Sequence, residues 1–357
     1  MSSAAPASRE AGDSDGHDPT WLRTTPTFRA GKLVVAPVLD VIAQYVLSIR
    51  KDDAGEPDWF HEFELPRAQF GAVARYGEAR VGVVAETVRS TSGGALIGLA
   101  GDSIVLRIRA AFLGYRLFER LSLSAGVVPT LTIPAVESSS GLRVLAPTGL
   151  ELTGASSPAD LGTTARLELP RGFGTVAVGG YNGEGYTGRE LNRGKNLELA
   201  AFVHPGALGP PWIRPLTVQA SYVAGSNGTG LARADRLSAG LAYSERRVRV
   251  GALVTYGLGL VDDGARRWLL VDGYGRVEPL AGLILGAQLM HFRRDLSMPG
   301  DVLSIVTGSV GYRPVEALEA LLAVDRQVAG EMAAPTLPGL DSWRIRAVAR
   351  FQLEHPK

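Results

Sequence analysis

The chain has 357 residues, 44 glycines, no cysteine, and 37 basic against 36 acidic side chains. The absence of cysteine excludes a disulfide scaffold and a zinc ribbon. A net charge of +1 argues against nucleic acid as a partner held by bulk electrostatics, and Phe and Trp spread along a chain with only 20% charged residues argue against global disorder.

The N-terminal segment, residues 1–30, is predicted to be a disordered polar arm. Met1 to Thr27 is rich in Ser, Asp and Pro and lacks the apolar run of a secretory signal. No later stretch reaches the roughly 20 apolar residues that a membrane-spanning helix needs. We therefore predict one large domain over residues 31–357 and no transmembrane helix.

Beyond the arm, apolar and polar residues alternate with the period of two that is typical of β-strands. In the first such segment, Leu39, Val41 and Tyr45 share one face, and Asp40 and Gln44 share the other. Sixteen segments of this kind can be counted, separated by Gly, Pro, Asn or Asp turns. They are 38–49, 63–76, 79–90, 103–116, 120–131, 160–169, 173–182, 196–204, 214–225, 235–245, 247–260, 267–277, 280–292, 301–312, 316–325 and 342–353.

The length of these segments favours a membrane barrel over a soluble sheet. Strands in soluble sheets most often have about 5 to 6 residues, whereas a strand that crosses a bilayer needs about 9 to 11. The predicted fold class is therefore all-β, a transmembrane antiparallel β-barrel of about 16 strands around a water-filled lumen. The longer connections Ser90 to Gly101, Val136 to Ala159 and Val328 to Leu340 are expected to be extracellular loops.

One segment, Val315 to Val328, carries conflicting signals. Its Glu, Ala and Leu residues recur at helical spacing, and Pro314 stands near its start, which favours an amphipathic helix. Its place in a regular series of strands favours a strand. We predict a strand.

Aromatic residues cluster near the segment ends, where two girdles would lie at the membrane interfaces. The alternative is that aromatic residues simply favour strands. The residues are Tyr45, Tyr76, Tyr115, Tyr222, Tyr243, Tyr256, Trp268, Phe292, Tyr312 and Trp343.

Five motifs in the middle of the chain follow one another in the order and spacing of a known family. They are Leu123 to Pro129, Pro158 to Gly162, Val178 to Gly185, Asn192 to Asn196 and Phe202 to Pro205. With them the chain resembles the phosphate-selective porin family, the outer-membrane porins of the O and P type. The resemblance implies a sixteen-stranded barrel in the outer membrane of a Gram-negative bacterium. It also implies a homotrimer that passes anions such as phosphate through constrictions lined by Arg and Lys.

Arginines in the strands are the candidate site residues. An Arg on the lipid face at the bilayer midplane costs about 2 to 4 kcal/mol, so strand arginines should face the lumen. The predicted pore-lining residues are Arg67, Arg75, Arg107, Arg109, Arg249, Arg344, Arg346 and Arg350. Fewer acids fall at the same positions, namely Asp40, Glu86, Glu168 and Glu198.

Two interpretations of these arginines remain open. An Arg surplus would lower the barrier for anions, whereas pairing with carboxylates would stiffen the wall. Because the first and last strands meet when a barrel closes, Arg344, Arg346 and Arg350 are expected near Asp40 and Gln44.

The predicted function is an outer-membrane porin that passes small hydrophilic solutes passively, with a preference for anions. Its expected partners are outer-membrane lipid, small anionic solutes and two further copies of the chain. No cofactor, metal or catalytic residue is expected. The alternatives are a soluble or structural β-sheet binding protein and a phospholipase-like enzyme barrel. The enzyme would need a Ser and a third polar group beside His291 on the outer face, and the sequence indicates no partner Ser.

Overall fold

The computed structural model describes residues 28–51, 56–90, 103–183, 185–186, 193–227, 231–260, 263–333 and 342–353. Most of the predicted N-terminal arm and most of the connections Ser90 to Gly101 and Val328 to Leu340 lie outside the described residues. Phe28–Ala30 forms a short strand that pairs with the start of the first barrel strand.

Sixteen antiparallel strands form a closed barrel, as predicted. Each strand pairs with its neighbours in the sequence, and β16 pairs with β1, with Phe351 opposite Val41. The strands are β1 Leu33–Lys51, β2 Pro57–Tyr76, β3 Ala79–Ser90, β4 Ser103–Phe118, β5 Leu121–Pro129, β6 Ala159–Glu168, β7 Gly174–Tyr181, β8 Asn196–Val203, β9 Leu216–Ala224, β10 Asp235–Ser244, β11 Val248–Leu260, β12 Asp263–Val277, β13 Leu283–Arg293, β14 Val302–Val315, β15 Leu318–Ala329 and β16 Ser342–Gln352. Ser226–Asn227 and Ala232–Arg233 form a small separate hairpin.

The two ends of the barrel differ in the length of their connections. At one end, which we call the turn end, short links such as residues 77–78, 119–120 and 316–317 join neighbouring strands. Gly77 has a positive φ of 58°, which a glycine adopts without the steric cost that other residues meet in a tight hairpin. Most of the longer connections lie at the opposite end, which we call the loop end, whereas residues 204–215 form a longer connection at the turn end.

The ambiguous segment is strand β15, and the prediction is confirmed. Its residues alternate between the two faces: Leu321 and Ala323 are buried, whereas Leu322 and Val324 are exposed. Hydrogen bonding to β14 and β16 on both sides overrides the helical propensity of the isolated segment.

The outer face of the barrel is apolar, and most predicted girdle residues lie on it. Tyr76, Tyr115 and Tyr312 are exposed near the turn end, and Tyr222 and Trp343 near the loop end. Two aromatic residues depart from this pattern. Trp268 and Phe292 lie on the inner face, where they are buried with their ring centroids 5.7 Å apart.

A bulge in β4 corrects the predicted faces of that strand. Val84 pairs with Ala110 while Ala85 pairs with Ile108, so Arg109 is an extra residue in the ladder. Such an insertion shifts the alternation by one. Regular alternation from Ile104, Leu106 and Ile108 predicts Ala110 and Phe112 on the outer face, but both are buried inside, and Leu113 is 68% exposed on the outside.

The connection between β5 and β6 folds into the barrel, so the expectation that Val136 to Ala159 forms an extracellular loop is wrong. Residues 130–158, here called the inserted segment, contain helix α1 (Thr132–Ser140) and helix α2 (Gly149–Leu152). Among the described residues, no helix is long and apolar enough to cross a bilayer.

Hydrophobic burial explains why the inserted segment lies inside. The inner faces of β11 to β13 carry apolar residues such as Leu253, Leu270 and Ile284, which water would contact in an empty lumen. Ile133 and Leu145 of the inserted segment pack into one buried cluster with them. Burying such side chains stabilises by about 1.5–3 kcal/mol each.

Candidate functional site

The start of the inserted segment is bound by a carboxylate from the barrel wall. Glu198 on β8 accepts hydrogen bonds from the backbone N–H groups of Leu131 and Thr132, at 2.9 and 3.0 Å. The Thr132 hydroxyl lies 2.7 Å from both Glu198 and Ser221. Leu131 has no side-chain acceptor, so Glu198 satisfies the free N–H groups and the positive dipole at the start of α1.

A second wall carboxylate holds helix α2. Asp272 on β12 accepts a 2.6 Å hydrogen bond from the backbone N–H of Gly149, and Gln288 on β13 donates to the carbonyl of Pro147 at 3.2 Å. The sequence prediction omitted Asp272. Its alternation with Leu269 and Val271 was the signal that could have placed it on the inner face.

Arg143 is the central charge of the inserted segment. It donates to Glu137 at 2.7 Å and, through both terminal nitrogens, to Glu151, with Nη2 at 2.9 Å. Arg67 from the wall lies 3.9 Å from the Glu137 carboxylate. Burial opposes the charge of Arg143, but the two carboxylates raise its pKa above its usual value. The segment is thus held in shape by a buried network of ion pairs.

A second network lies on the wall formed by β2 to β4. Glu86 accepts a hydrogen bond from Gln69 at 2.9 Å and another from the Tyr186 hydroxyl. Arg107 and Arg109 lie 3.3 and 4.0 Å from the same carboxylate, and their guanidinium groups lie 5.3 and 4.8 Å from the Tyr186 ring centroid. Burial, and the neighbouring Glu86, raise the pKa of Tyr186, which keeps its hydroxyl a proton donor.

Ion pairs also bridge the seam where the barrel closes. Arg350 on β16 donates to Asp40 on β1 at 2.8 and 3.1 Å, and Arg67 on β2 donates to the same carboxylate at 3.2 Å. Arg346 forms a bidentate pair with Asp325 at 2.6 and 2.7 Å and donates to Gln44 at 3.3 Å. These contacts link strands β15, β16, β1 and β2.

The eight predicted pore-lining arginines all occupy inward positions of the strand alternation. Two lie toward the turn end: Arg75 is exposed there, and Arg249 lines a cavity. The other six lie within 4.0 Å of a carboxylate: Arg67, Arg107, Arg109, Arg344, Arg346 and Arg350. For these six arginines, the geometry agrees with the interpretation in which pairing with carboxylates stiffens the wall.

The interior also contains more acids than the sequence prediction gave. Asp40, Glu86 and Glu198 are buried inside as expected. Further buried carboxylates are contributed by both the wall and the inserted segment. They include Glu137, Asp272, Glu319 and Asp325. Two of these acids pair with inward arginines: Glu319 with Arg276, and Asp325 with Arg346.

His291 has a serine partner on the outer face, which corrects the expectation that it has none. Its Nδ1 lies 2.9 Å from the hydroxyl of Ser304, its register partner on β14. The residues that flank this pair in register are Val271 and Val328, so the third group of a hydrolase triad is not at either position. The hydrogen bond between His291 and Ser304 gives each polar group a partner, which lipid hydrocarbon could not provide.

The pH dependence of the Arg143 network has a definite sign. Burial would raise the pKa of Glu151, but Arg143 lowers it from 4.5 to about 2. Glu151 therefore stabilises the fold fully above pH 4.5, and this contribution is lost as the pH falls through about 2. We expect wild type to be more stable than Glu151→Gln at pH 5.5, and the two to converge near pH 2. Thermal unfolding in detergent, followed by circular dichroism, measures this gap, and a gap that is constant over the range would contradict the assignment.

No group of His, Asp and Glu residues in the described ranges has a geometry that could hold a metal ion. No family model matches the chain, and no curated protein matches its sequence.

Solved structures with the same architecture are outer-membrane proteins of bacteria. Salmonella typhi OmpF, in complex with daunomycin, matches with a TM-score of 0.64 at 12% identity, over 92% of this chain and 100% of that one. An anion-selective porin from Comamonas acidovorans matches with a TM-score of 0.61 at 12% identity, over 89% and 99%. Vibrio cholerae OmpT in a trimer form matches with a TM-score of 0.56 at 14% identity, over 89% and 99%. The chain therefore has the fold of the bacterial outer-membrane porins.

Proposed function

We propose that this chain is an outer-membrane porin of a Gram-negative bacterium, through which small hydrophilic solutes diffuse passively. The proposal rests on one observation: polar and apolar residues are distributed in the opposite way to that of a soluble protein. Charged residues such as Asp40, Arg67 and Arg109 are buried inside the barrel, while Leu113 and Phe63 are exposed on the outside. An apolar exterior fits lipid, and a polar interior fits solutes that carry their own hydrogen-bonding groups.

We also propose a preference for anions, phosphate among them. In the Arg107–Glu86 pair, the Arg side chain is 35% exposed and the Glu side chain 6%. Arg313 is likewise more exposed than its partner Glu278, at 24% against 10%. Although the pairs are neutral as a whole, solutes meet the guanidinium and not the carboxylate behind it, which favours anions.

Homotrimer formation belongs to the same proposal. The apolar outer face would be shared between lipid and neighbouring copies. The trimer form recorded for Vibrio cholerae OmpT, which has this fold, supports it.

Planar-bilayer conductance tests the channel and its selectivity together. Under a KCl gradient, we expect wild type to give an anion-selective reversal potential. Arg107→Gln should lower the ratio of anion to cation permeability by about twofold, because it removes an exposed lumen charge while Arg109 still faces Glu86. The effect should weaken in concentrated salt, where charges are screened.

Arg267→Gln is the matched control for this measurement. Arg267 lies on the outer face of β12, and its neighbour Trp268 lies on the inner face. The substitution therefore removes the same charge from outside the lumen and should leave the reversal potential unchanged. Folded protein that forms no channels would contradict the proposed function, and cation selectivity in wild type would contradict the anion preference.

A further inference from the structure

A cavity of about 360 Å³ lies between helix α1 and the turn-end halves of strands β8 to β11. Its lining is mainly polar and comes from four strands, the two connections between them at the turn end, and the helix. The polar residues that matter here are Ser138, Ser139, Arg214, Gln219, Arg246 and Arg249. At about 30 Å³ per water molecule, the space corresponds to roughly a dozen waters, which is more than a bare phosphate ion fills.

The charge of the cavity is positive. The charged residues of the lining are three arginines, Arg214, Arg246 and Arg249, and one carboxylate, Glu245, which accepts a 3.0 Å hydrogen bond from the Tyr243 hydroxyl. Three guanidinium groups against one carboxylate leave a net charge of about +2 around the space. An anionic group entering from the turn end would meet donors that can bind it in bidentate fashion.

The histidine of the cavity does not change this balance at neutral pH. His204 Nδ1 lies 3.1 Å from the Thr217 hydroxyl. Burial lowers the pKa of His204 below its usual value, so the ring is neutral. It offers the cavity a hydrogen-bonding group and no charge.

Gln219 supplies an independent sign of a ligand. This side chain on β9 is only 4% exposed, it lines the cavity, and its Nε2 donors have no hydrogen-bond partner among the described residues. Gly240 on the neighbouring strand leaves the room that the amide occupies, since a side chain there would press against it. A buried donor without a partner costs about 1–3 kcal/mol, so a group that accepts its hydrogen bond is favoured here.

We propose that this cavity binds a small hydroxylated anion of the size of a hexose phosphate. Its anionic group lies against Arg246 and Arg249, and its hydroxyls accept from Gln219 and contact the serines of α1. The site is a stage on the path through the lumen, and in this respect the inference rests on the proposed channel function.

Binding can be measured without any conductance, by isothermal titration calorimetry of the folded barrel in detergent with glucose 6-phosphate. We expect saturable binding, with much weaker binding of neutral glucose and of inorganic phosphate. Arg246→Gln should weaken the affinity about tenfold, because a charged hydrogen bond is lost at an exposed turn residue that folding does not need. Gln219→Glu keeps the shape of the side chain but replaces the donors by a negative charge, and should weaken it at least about tenfold.

Arg120→Gln is the control, since this exposed residue lies on another turn-end hairpin and does not line the cavity. Equal affinity for glucose, equal affinity for inorganic phosphate, or unchanged binding in both variants would overturn the proposal. Conductance in KCl, recorded on the same preparation, separates the two ideas. Open channels with no glucose 6-phosphate binding overturn the site alone. Binding without channels overturns the proposed function, and with it the place of the site on a path through the lumen, but not the binding site itself.

Discussion

Replacing Arg143 by methionine is expected to destabilise the barrel by about 3–5 kcal/mol, because it leaves buried carboxylates without their cation. Glu137 is almost completely buried, and Glu151 loses the guanidinium that holds its pKa near 2. The methionine fills similar space but provides no donor. The inserted segment should then lose its folded shape inside the barrel, and the mean channel conductance should rise because less of the lumen is filled.

Thermal unfolding in detergent at pH 7 measures the loss, and single-channel recording measures the conductance. Arg116→Met is a matched control, since it breaks an exposed pair with Glu78 at 3.7 Å and should change stability by about 0–1 kcal/mol. Adding Glu151→Gln to Arg143→Met should recover part of the stability. Equal midpoints for Arg143→Met and Arg116→Met would show that the network does not hold the segment.

Replacing Glu198 by alanine is expected to cost about 2–4 kcal/mol and to release the start of helix α1 from the wall. The substitution leaves the N–H groups of Leu131 and Thr132 without their acceptor in a buried place. It also removes the partner of the Thr132 hydroxyl, although Ser221 remains within 2.7 Å. Because α1 starts at this strand and crosses toward β11 and β12, its release should widen the lumen.

We expect a lower unfolding midpoint and larger, more variable single-channel conductance in Glu198→Ala. Glu119→Ala removes an exposed carboxylate from a turn-end hairpin and should leave both values unchanged. If Glu198→Ala conducted as wild type does, the wall carboxylate would not position the segment.

The strands and their faces could be predicted from the sequence because lipid imposes a local rule. A strand between hydrocarbon and water must alternate, so neighbours such as Asp40 and Val41 reveal their faces without knowledge of the fold. The rule fails where the ladder changes: the bulge at Arg109 reverses the face of Phe112, and no local pattern predicts it. It also fails for Trp268 and Phe292, which are apolar but face inward because the inserted segment covers that side of the lumen.

The sequence by itself determined the number and order of the strands and which arginines point inward, since these follow from period, turn residues and the cost of charge in lipid. Only the tertiary structure decided what the arginines meet. Arg67 and Asp40 are 27 residues apart, and Arg350 and Asp40 are 310 apart, so their pairing depends on barrel closure and register. The tertiary structure also decided the path of residues 130–158. These residues pack against the apolar inner wall of β11 to β13, a surface that exists only when three strands lie side by side. Burial depends on what is opposite in space and not on what is adjacent in the chain.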